Sequence, residues 1–273
     1  METIILILLL FIMGIFFGSF YTLAVYRIPK RQDIAHKHSY CPDCGHELGT
    51  FDLIPIFSYI FLRGRCRYCK QKIRPRYLIL EILSGLLFVI LGYVMKLNLL
   101  TLSIQKIVEF TFMVLYFTYI ILISGIDKEN RKMDKLVLVY GIVISIMYML
   151  YLCIVEKANI YRYGMCLTLY IIVLIFDTIT LKKYAKNSYV TGILLMIITM
   201  LTFTYELITI NSIILTLLTV AIYILVYKIK EKGKRKKKDE REIAKNISIG
   251  FCLGVTNIAT LLLVLYSNNY LLK

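Results

Sequence analysis

The sequence predicts an all-α polytopic membrane protein of about eight transmembrane helices, with a small cytoplasmic four-cysteine zinc-type domain after the first helix. Three observations predict it. Of the 273 residues, 59% are hydrophobic and the mean hydropathy is +0.73, whereas a soluble domain rarely exceeds about 50% apolar residues. Apolar runs recur along the chain at lengths near the roughly 20 residues that cross a bilayer. Two cysteine pairs, Cys41-Pro-Asp-Cys44 and Cys66-Arg-Tyr-Cys69, frame the one long polar gap near the start.

The first apolar run covers residues 3–26, after Glu2 and before Arg27-Ile-Pro-Lys-Arg31. A cleaved signal peptide carries the reverse charge order, so residues 1–26 are expected to be a retained first span. Residues 27–77 form a basic polar loop, expected to be the cytoplasmic zinc-type domain. Within it Phe51–Leu62 is apolar but too short to cross, and suits packing on the cysteine knob or lying at the membrane surface. Residues 78–273 are expected to form a helix bundle, with spans near 78–95, 107–126, 136–155, 164–181, 189–210, 213–228 and 246–270.

Charge orients these spans. The chain has 33 Lys and Arg against 17 Asp and Glu, for a net charge of +16. In a soluble protein this would suggest nucleic acid. Here the cations fall in alternate gaps, and no nucleic-acid motif accompanies them. The gaps 27–77, 127–135, 182–188 and 229–245 hold the clusters, which the positive-inside rule places in the cytoplasm. The gaps 96–106, 156–163 and 211–212 hold only Lys96, Lys106, Lys157 and Arg162.

Four thiolates set as two Cys-x-x-Cys pairs suit tetrahedral Zn²⁺ in a reducing compartment. Gly45 and Gly64 suit the tight turns that such pairs need. A closed set of four sulphurs leaves no open coordination position, so Cys41, Cys44, Cys66 and Cys69 read as structural ligands. Free or redox-active thiols are the alternative. His36, His38 and His46 lie close by as surplus donors. Cys153, Cys166 and Cys252 lie singly in apolar runs, where small buried thiols are ordinary.

The stretch Gly18-Ser-Phe-Tyr-Thr-Leu-Ala-Val-Tyr-Arg-Ile-Pro29 resembles the entry motif of the bacterial type IV prepilin peptidases, the leader peptidase/N-methyltransferases. The resemblance runs on through Cys41-Pro-Asp-Cys44, Asp52-Leu-Ile-Pro-Ile-Phe-Ser58 and Arg63-Gly-Arg-Cys-Arg-Tyr-Cys69, and reaches Arg76-Tyr-Leu-Ile-Leu-Glu81. It implies a multi-pass protein of the bacterial inner (cytoplasmic) membrane. It also implies an aspartic endopeptidase acting on type IV prepilin and pseudopilin precursors, followed by N-methylation with S-adenosylmethionine.

Such a peptidase needs two carboxylates that share a proton. Ser124-Gly-Ile-Asp127 matches the family's first aspartate. Asp127 sits at a helix C-terminus, where the macrodipole disfavours an anion. Asp134 suits an N-cap for the next run. The family's second aspartate ends a Gly-x-Gly-Asp motif, but here the chain reads Lys186-Asn-Ser-Tyr-Val-Thr-Gly192. Asp177 is the nearest candidate to replace it, with Lys182 or Lys183 as its ordinary ion-pair partner. Ile247–Gly254 resembles the glycine-bearing start of the family's last segment, although glycines also serve close helix packing. Three readings follow, and the first two are a leader peptidase and a relative that binds pilin-like substrates or assembly partners without cutting them. An unrelated transporter is the third, disfavoured by the scarcity of charge within the spans.

Overall fold

The computed structural model describes residues 2–34, 38–155, 160–184, 189–231 and 248–271; the side chains of 180–184, 227–231 and 268–271 are not described. His36, the Lys186–Ser188 stretch and the basic tract from residue 232 lie outside the described residues. The described chain is almost wholly helical: α1 Glu2–Arg27, α2 Phe57–Phe61, α3 Arg76–Val94, α4 Ile104–Asn130, α5 Lys135–Val155, α6 Ile160–Tyr184, α7 Tyr189–Phe203, α8 Glu206–Glu231 and α9 Ile249–Leu271. Seven of them are long and apolar enough to cross a membrane, and α7 is a shorter apolar helix. The expected eight apolar segments are thus present, one of them at 15 residues.

One boundary differs from expectation. The sequence places a gap at Asn211-Ser212, but the helical break falls at Thr204-Tyr205. Ser212 sits inside α8, where its hydroxyl donates back to the Ile208 carbonyl at 2.7 Å. The break is held from α6, because the Arg162 guanidinium donates to the Leu201 and Thr204 carbonyls at 3.2 and 2.7 Å. These are carbonyls at the end of α7, which have no helical partner of their own.

The chain forms two compact units, Met1–Thr111 and Phe112–Lys273. In the first, α1 and α3 pack antiparallel along a seam of small residues. A Cβ on Gly14 would lie 2.6 Å from the Ser84 carbonyl oxygen and 2.8 Å from Gly85 Cα, and one on Gly18 would lie 2.8 Å from Glu81 Cα. Glycine at both positions lets the backbones touch, which is how helices associate where lipid removes the hydrophobic drive. Phe17 packs on Phe88 beside this seam, with ring centroids 5.2 Å apart.

The polar loop hangs from this hairpin. Arg27, read from sequence as a loop charge, is the last residue of α1 and is buried. Its guanidinium donates to the Asp33 and His38 carbonyls at 2.9 and 3.0 Å, which folds the loop back on the helix end. Glu81 of α3 accepts the Ile56 N–H at 2.8 Å. Ile56 has φ 63, a left-handed conformation that a β-branched residue resists.

In the second unit, α4 presents Tyr116, Phe117, Tyr119, Ile120, Ile123 and Ile126 as a fully buried face. Two polar ladders knit helices to one another. Tyr116 donates to Asn257 at 2.6 Å, Asn257 donates to Ser212 at 3.3 Å, and Ser212 pairs with Thr260 at 2.8 Å, joining α4, α9 and α8. Tyr170 donates to Ser145 at 3.1 Å and pairs with Thr199 at 2.9 Å, joining α6, α5 and α7. The expected N-cap at Asp134 forms, its carboxylate accepting the Leu136 N–H at 2.9 Å.

Candidate functional site

The four sulphurs of Cys41, Cys44, Cys66 and Cys69 all lie within 4.8 Å of one another, and those of Cys41 and Cys69 are 3.9 Å apart. Tetrahedral Zn²⁺ with bonds near 2.3 Å requires sulphur separations of about 3.8 Å, so the tetrad can hold such a metal. Two matching turns build it. Gly45 N–H donates to the Cys41 carbonyl at 2.9 Å, and Lys70 N–H donates to the Cys66 carbonyl at 3.1 Å. Cys41 and Cys66 donate in turn to the His46 and Gln71 carbonyls at 2.9 and 2.8 Å.

Gly45 takes the left-handed conformation expected of it (φ 71), but in the second turn that place belongs to Lys70 (φ 60). Gly64 instead closes α2, its N–H donating to the Tyr59 carbonyl at 2.8 Å. His46 packs at a tilt on Tyr68, with ring centroids 3.6 Å apart, and is occupied as an aromatic partner.

Backbone N–H groups of Cys69 and Tyr68 donate to Cys66 and lower its thiol to about 7 against the cost of burial. The Gln71 N–H pulls Cys69 down, but burial and the crowding of the other three sulphurs push it up to about 12. Such crowding of thiols is the condition a metal cation relieves.

Asp127 lies in the last turn of α4 and has no exposed surface. Its Oδ2 accepts the Phe251 N–H at 3.1 Å, while Oδ1 is buried without a hydrogen-bond partner. The approach is possible because residue 250 is glycine, where a Cβ would lie 3.0 Å from Oδ2. The Tyr189 hydroxyl accepts the Gly250 N–H at 3.4 Å and lies against the Asp127 carboxyl. Since that hydroxyl accepts from Gly250, its own proton is free to donate to Asp127. Ser124, one turn back on α4, donates to the Gly250 carbonyl at 3.4 Å. Arg131 is the nearby positive charge, and Lys128 rests over the Phe251 ring at 4.2 Å.

Asp177 is half-buried on α6 and accepts the Thr191 hydroxyl at 2.8 Å. It lines a cavity of about 40 Å³ with Met133, Lys135, Leu138, Thr191, Gly192 and Leu195. Among the described contacts, Asp127 is held by the Phe251 N–H and Asp177 by the Thr191 hydroxyl. Met133 touches both settings. Its terminal methyl packs on Gly250 beside Asp127, its Cβ and Cγ lie 2.5 Å from where a Cβ on Gly192 would stand, and it lines the Asp177 cavity.

Tyr189, Phe251 and Met133 were not legible as site residues. Two signals pointed toward them. Tyr189 falls in the stretch where Gly-x-Gly-Asp is expected, and Gly250 lies in the last segment singled out for its glycines.

Residues 12–95 match the family described as Bacterial Peptidase A24 N-terminal domain. Curated relatives named prepilin leader peptidase/N-methyltransferase are similar over about a third of the chain. The Klebsiella pneumoniae protein is 39% identical over 92 residues, covering 32% of this chain and 40% of that protein. The Myxococcus xanthus protein is 44% identical over 79 residues, covering 29% of this chain and 24% of that one. The Pseudomonas putida protein is 31% identical over 115 residues, covering 34% and 40%. The chain thus spans less than half the length of these relatives. No solved structure matches. The resemblance read from residues 18–88 is borne out.

Proposed function

We propose that this chain is a prepilin leader peptidase of the bacterial inner membrane, cleaving type IV prepilin or pseudopilin precursors at the cytoplasmic face. The observation that carries the reading is Asp127: a fully buried carboxyl at the end of α4, with one oxygen fixed by Phe251 N–H and the other unpartnered. A lone buried carboxyl oxygen is costly to leave unpaired, and such a group suits the abstraction of a proton from water attacking a peptide carbonyl. The family match of residues 12–95 and the similarity to the named relatives support the substrate class.

In this reading Asp177 is the second carboxylate, and Met133, packed on both settings, yields for the two to share a proton. Cys41, Cys44, Cys66 and Cys69 hold a structural Zn²⁺ that fixes the fold of the cytoplasmic loop. Methylation of the new N-terminus with S-adenosylmethionine rests on the relatives' name alone.

A second reading, a relative that binds pilin-like partners without cutting them, is favoured by Tyr189. A phenol stands against Asp127 where a dyad needs an acid, and a phenol donates a hydrogen bond but does not cycle a proton near neutrality as a carboxyl does. Co-expression with a prepilin, read as a mobility shift, separates the readings. Cleavage lost in Asp127→Ala and Asp177→Ala supports the dyad. Cleavage unaffected by Asp177→Ala removes Asp177. Co-purification of uncut precursor with the unaltered chain supports the second reading.

A further inference from the structure

The segment between the two cysteine pairs carries an unusual surface. Phe51, Phe57, Ile60 and Phe61 are 75%, 59%, 61% and 82% exposed. Beside them lies an open cleft of about 520 Å³, lined by Phe61, Leu62, Arg63, Arg65, Cys66 and Lys70. Large apolar groups in water are costly, and contiguous ones mark an interaction face. The cations beside them state the sign of the partner.

The fold fixes the depth of this face. The loop leaves α1 at Arg27 and enters α3 at Arg76, the adjoining ends of two packed helices long and apolar enough to span. The Ile56 N–H, which opens α2, is held by Glu81. Glu81 lies five residues into α3, or about 7.5 Å below its N-terminal end. It also touches Gly18, nine residues before the end of α1, or about 14 Å below it. The loop therefore turns back toward the helices, and α2 starts within reach of the Glu81 side chain, close to the ends of α1 and α3. The left-handed Ile56 (φ 63) is the corner that makes this return.

We propose that residues 51–61 are an interfacial anchor that seats the cysteine knob on an anionic phospholipid surface, with a lipid phosphate held in the cleft of Arg63, Arg65 and Lys70. The apolar rings enter the headgroup–acyl boundary, as such faces do, and the three cations meet the phosphates. Apolar rings beside a cationic cleft match the two chemistries of a phospholipid, acyl chain and phosphate, in one occupant. The inference does not rest on the peptidase reading.

The chain contains no Trp, so Phe61→Trp places a single reporter at the most exposed ring of this segment. The full chain carrying it is reconstituted in nanodiscs of phosphatidylcholine with increasing phosphatidylglycerol, either lipid brominated. The expected result is blue-shifted emission, quenched most by bromines near the head of the acyl chain, with phosphatidylglycerol preferred at the reporter. The preference falls by about fivefold for Arg63→Gln and by up to about a hundredfold with Arg65→Gln and Lys70→Gln added, with helical circular dichroism unchanged. Water-like emission without quenching overturns the anchor. Equal quenching by both lipids overturns the cationic site. Loss of the preference on adding millimolar inorganic phosphate reassigns the cleft to a soluble anion and overturns the lipid assignment. Relief of quenching by a pilin-precursor peptide overturns it in favour of a protein partner.

Discussion

Replacing Gly14 by alanine tests the seam from which the cysteine knob hangs. The new Cβ would stand 2.6 Å from the Ser84 carbonyl oxygen and 2.8 Å from Gly85 Cα. Both are backbone atoms, so no rotamer change relieves them. Carbon contacts settle near 3.5–4.0 Å, so α1 and α3 must part by roughly 1 Å at this level. Overpacking of this kind costs about 1–3 kcal/mol. Alanine recovers about 1 kcal/mol through helix propensity, leaving a net loss of up to about 2 kcal/mol, its upper part expected because both contacts are backbone. For a chain of this size that lowers the melting midpoint by roughly 2–4 °C per kcal/mol.

Gly85→Ala is the internal comparison. Its Cβ meets the Phe11 ring edge at 2.7 Å, and a ring can swing aside. Gly164→Ala on α6 meets nothing within 4 Å and is expected to be neutral or slightly stabilising. Thermal unfolding in detergent reads all three. A Gly14→Ala midpoint at or above that of the parent, or a Gly85→Ala loss as large, would refute the close-backbone reasoning.

Three further outcomes follow from the geometry. Tyr189→Phe removes the hydroxyl from Asp127, and loss of a hydrogen bond to a charged group costs about 1.5–3 kcal/mol; a matching drop in kcat with KM little changed is expected if the carboxyl works in catalysis, and unchanged kinetics would discount the contact. Cys66→Ser, or a strong chelator, is expected to release one bound metal per chain and to expose residues 41–69 to proteolysis while the remaining helices keep their circular dichroism; an unaltered digestion pattern would argue against a metal clamp. Asn257→Leu cuts the ladder joining Tyr116 to Ser212, with an expected loss of about 0.6–2 kcal/mol; thermal stability equal to the parent's would show that water or rearranged hydroxyls replace the bond.

The cysteine tetrad was legible because ligand spacing is a local property, and each turn is closed by hydrogen bonds within a few residues. The apolar segments were legible for the same reason: length and composition suffice. What sequence did not show depends on rotation about a helix axis. A helix in lipid is apolar on nearly every side, so its pattern does not declare which residues face a neighbour. Tyr189 and Gly250 are 61 residues apart, and nothing local joins them. Arg27 read as a loop charge because its two acceptors are carbonyls further along the chain. The Thr204 break was hidden because its satisfying group, Arg162, belongs to another helix.

The central claim is that Asp127 is a working carboxyl, and leader cleavage in proteoliposomes tests it most directly. The unaltered chain and Asp127→Asn, which keeps the shape and a hydrogen-bond acceptor for Phe251, are given the same prepilin. The account predicts cleavage by the first and a loss of about a hundredfold or more in the second, as befits removal of a general base. Equal cleavage by both would contradict it.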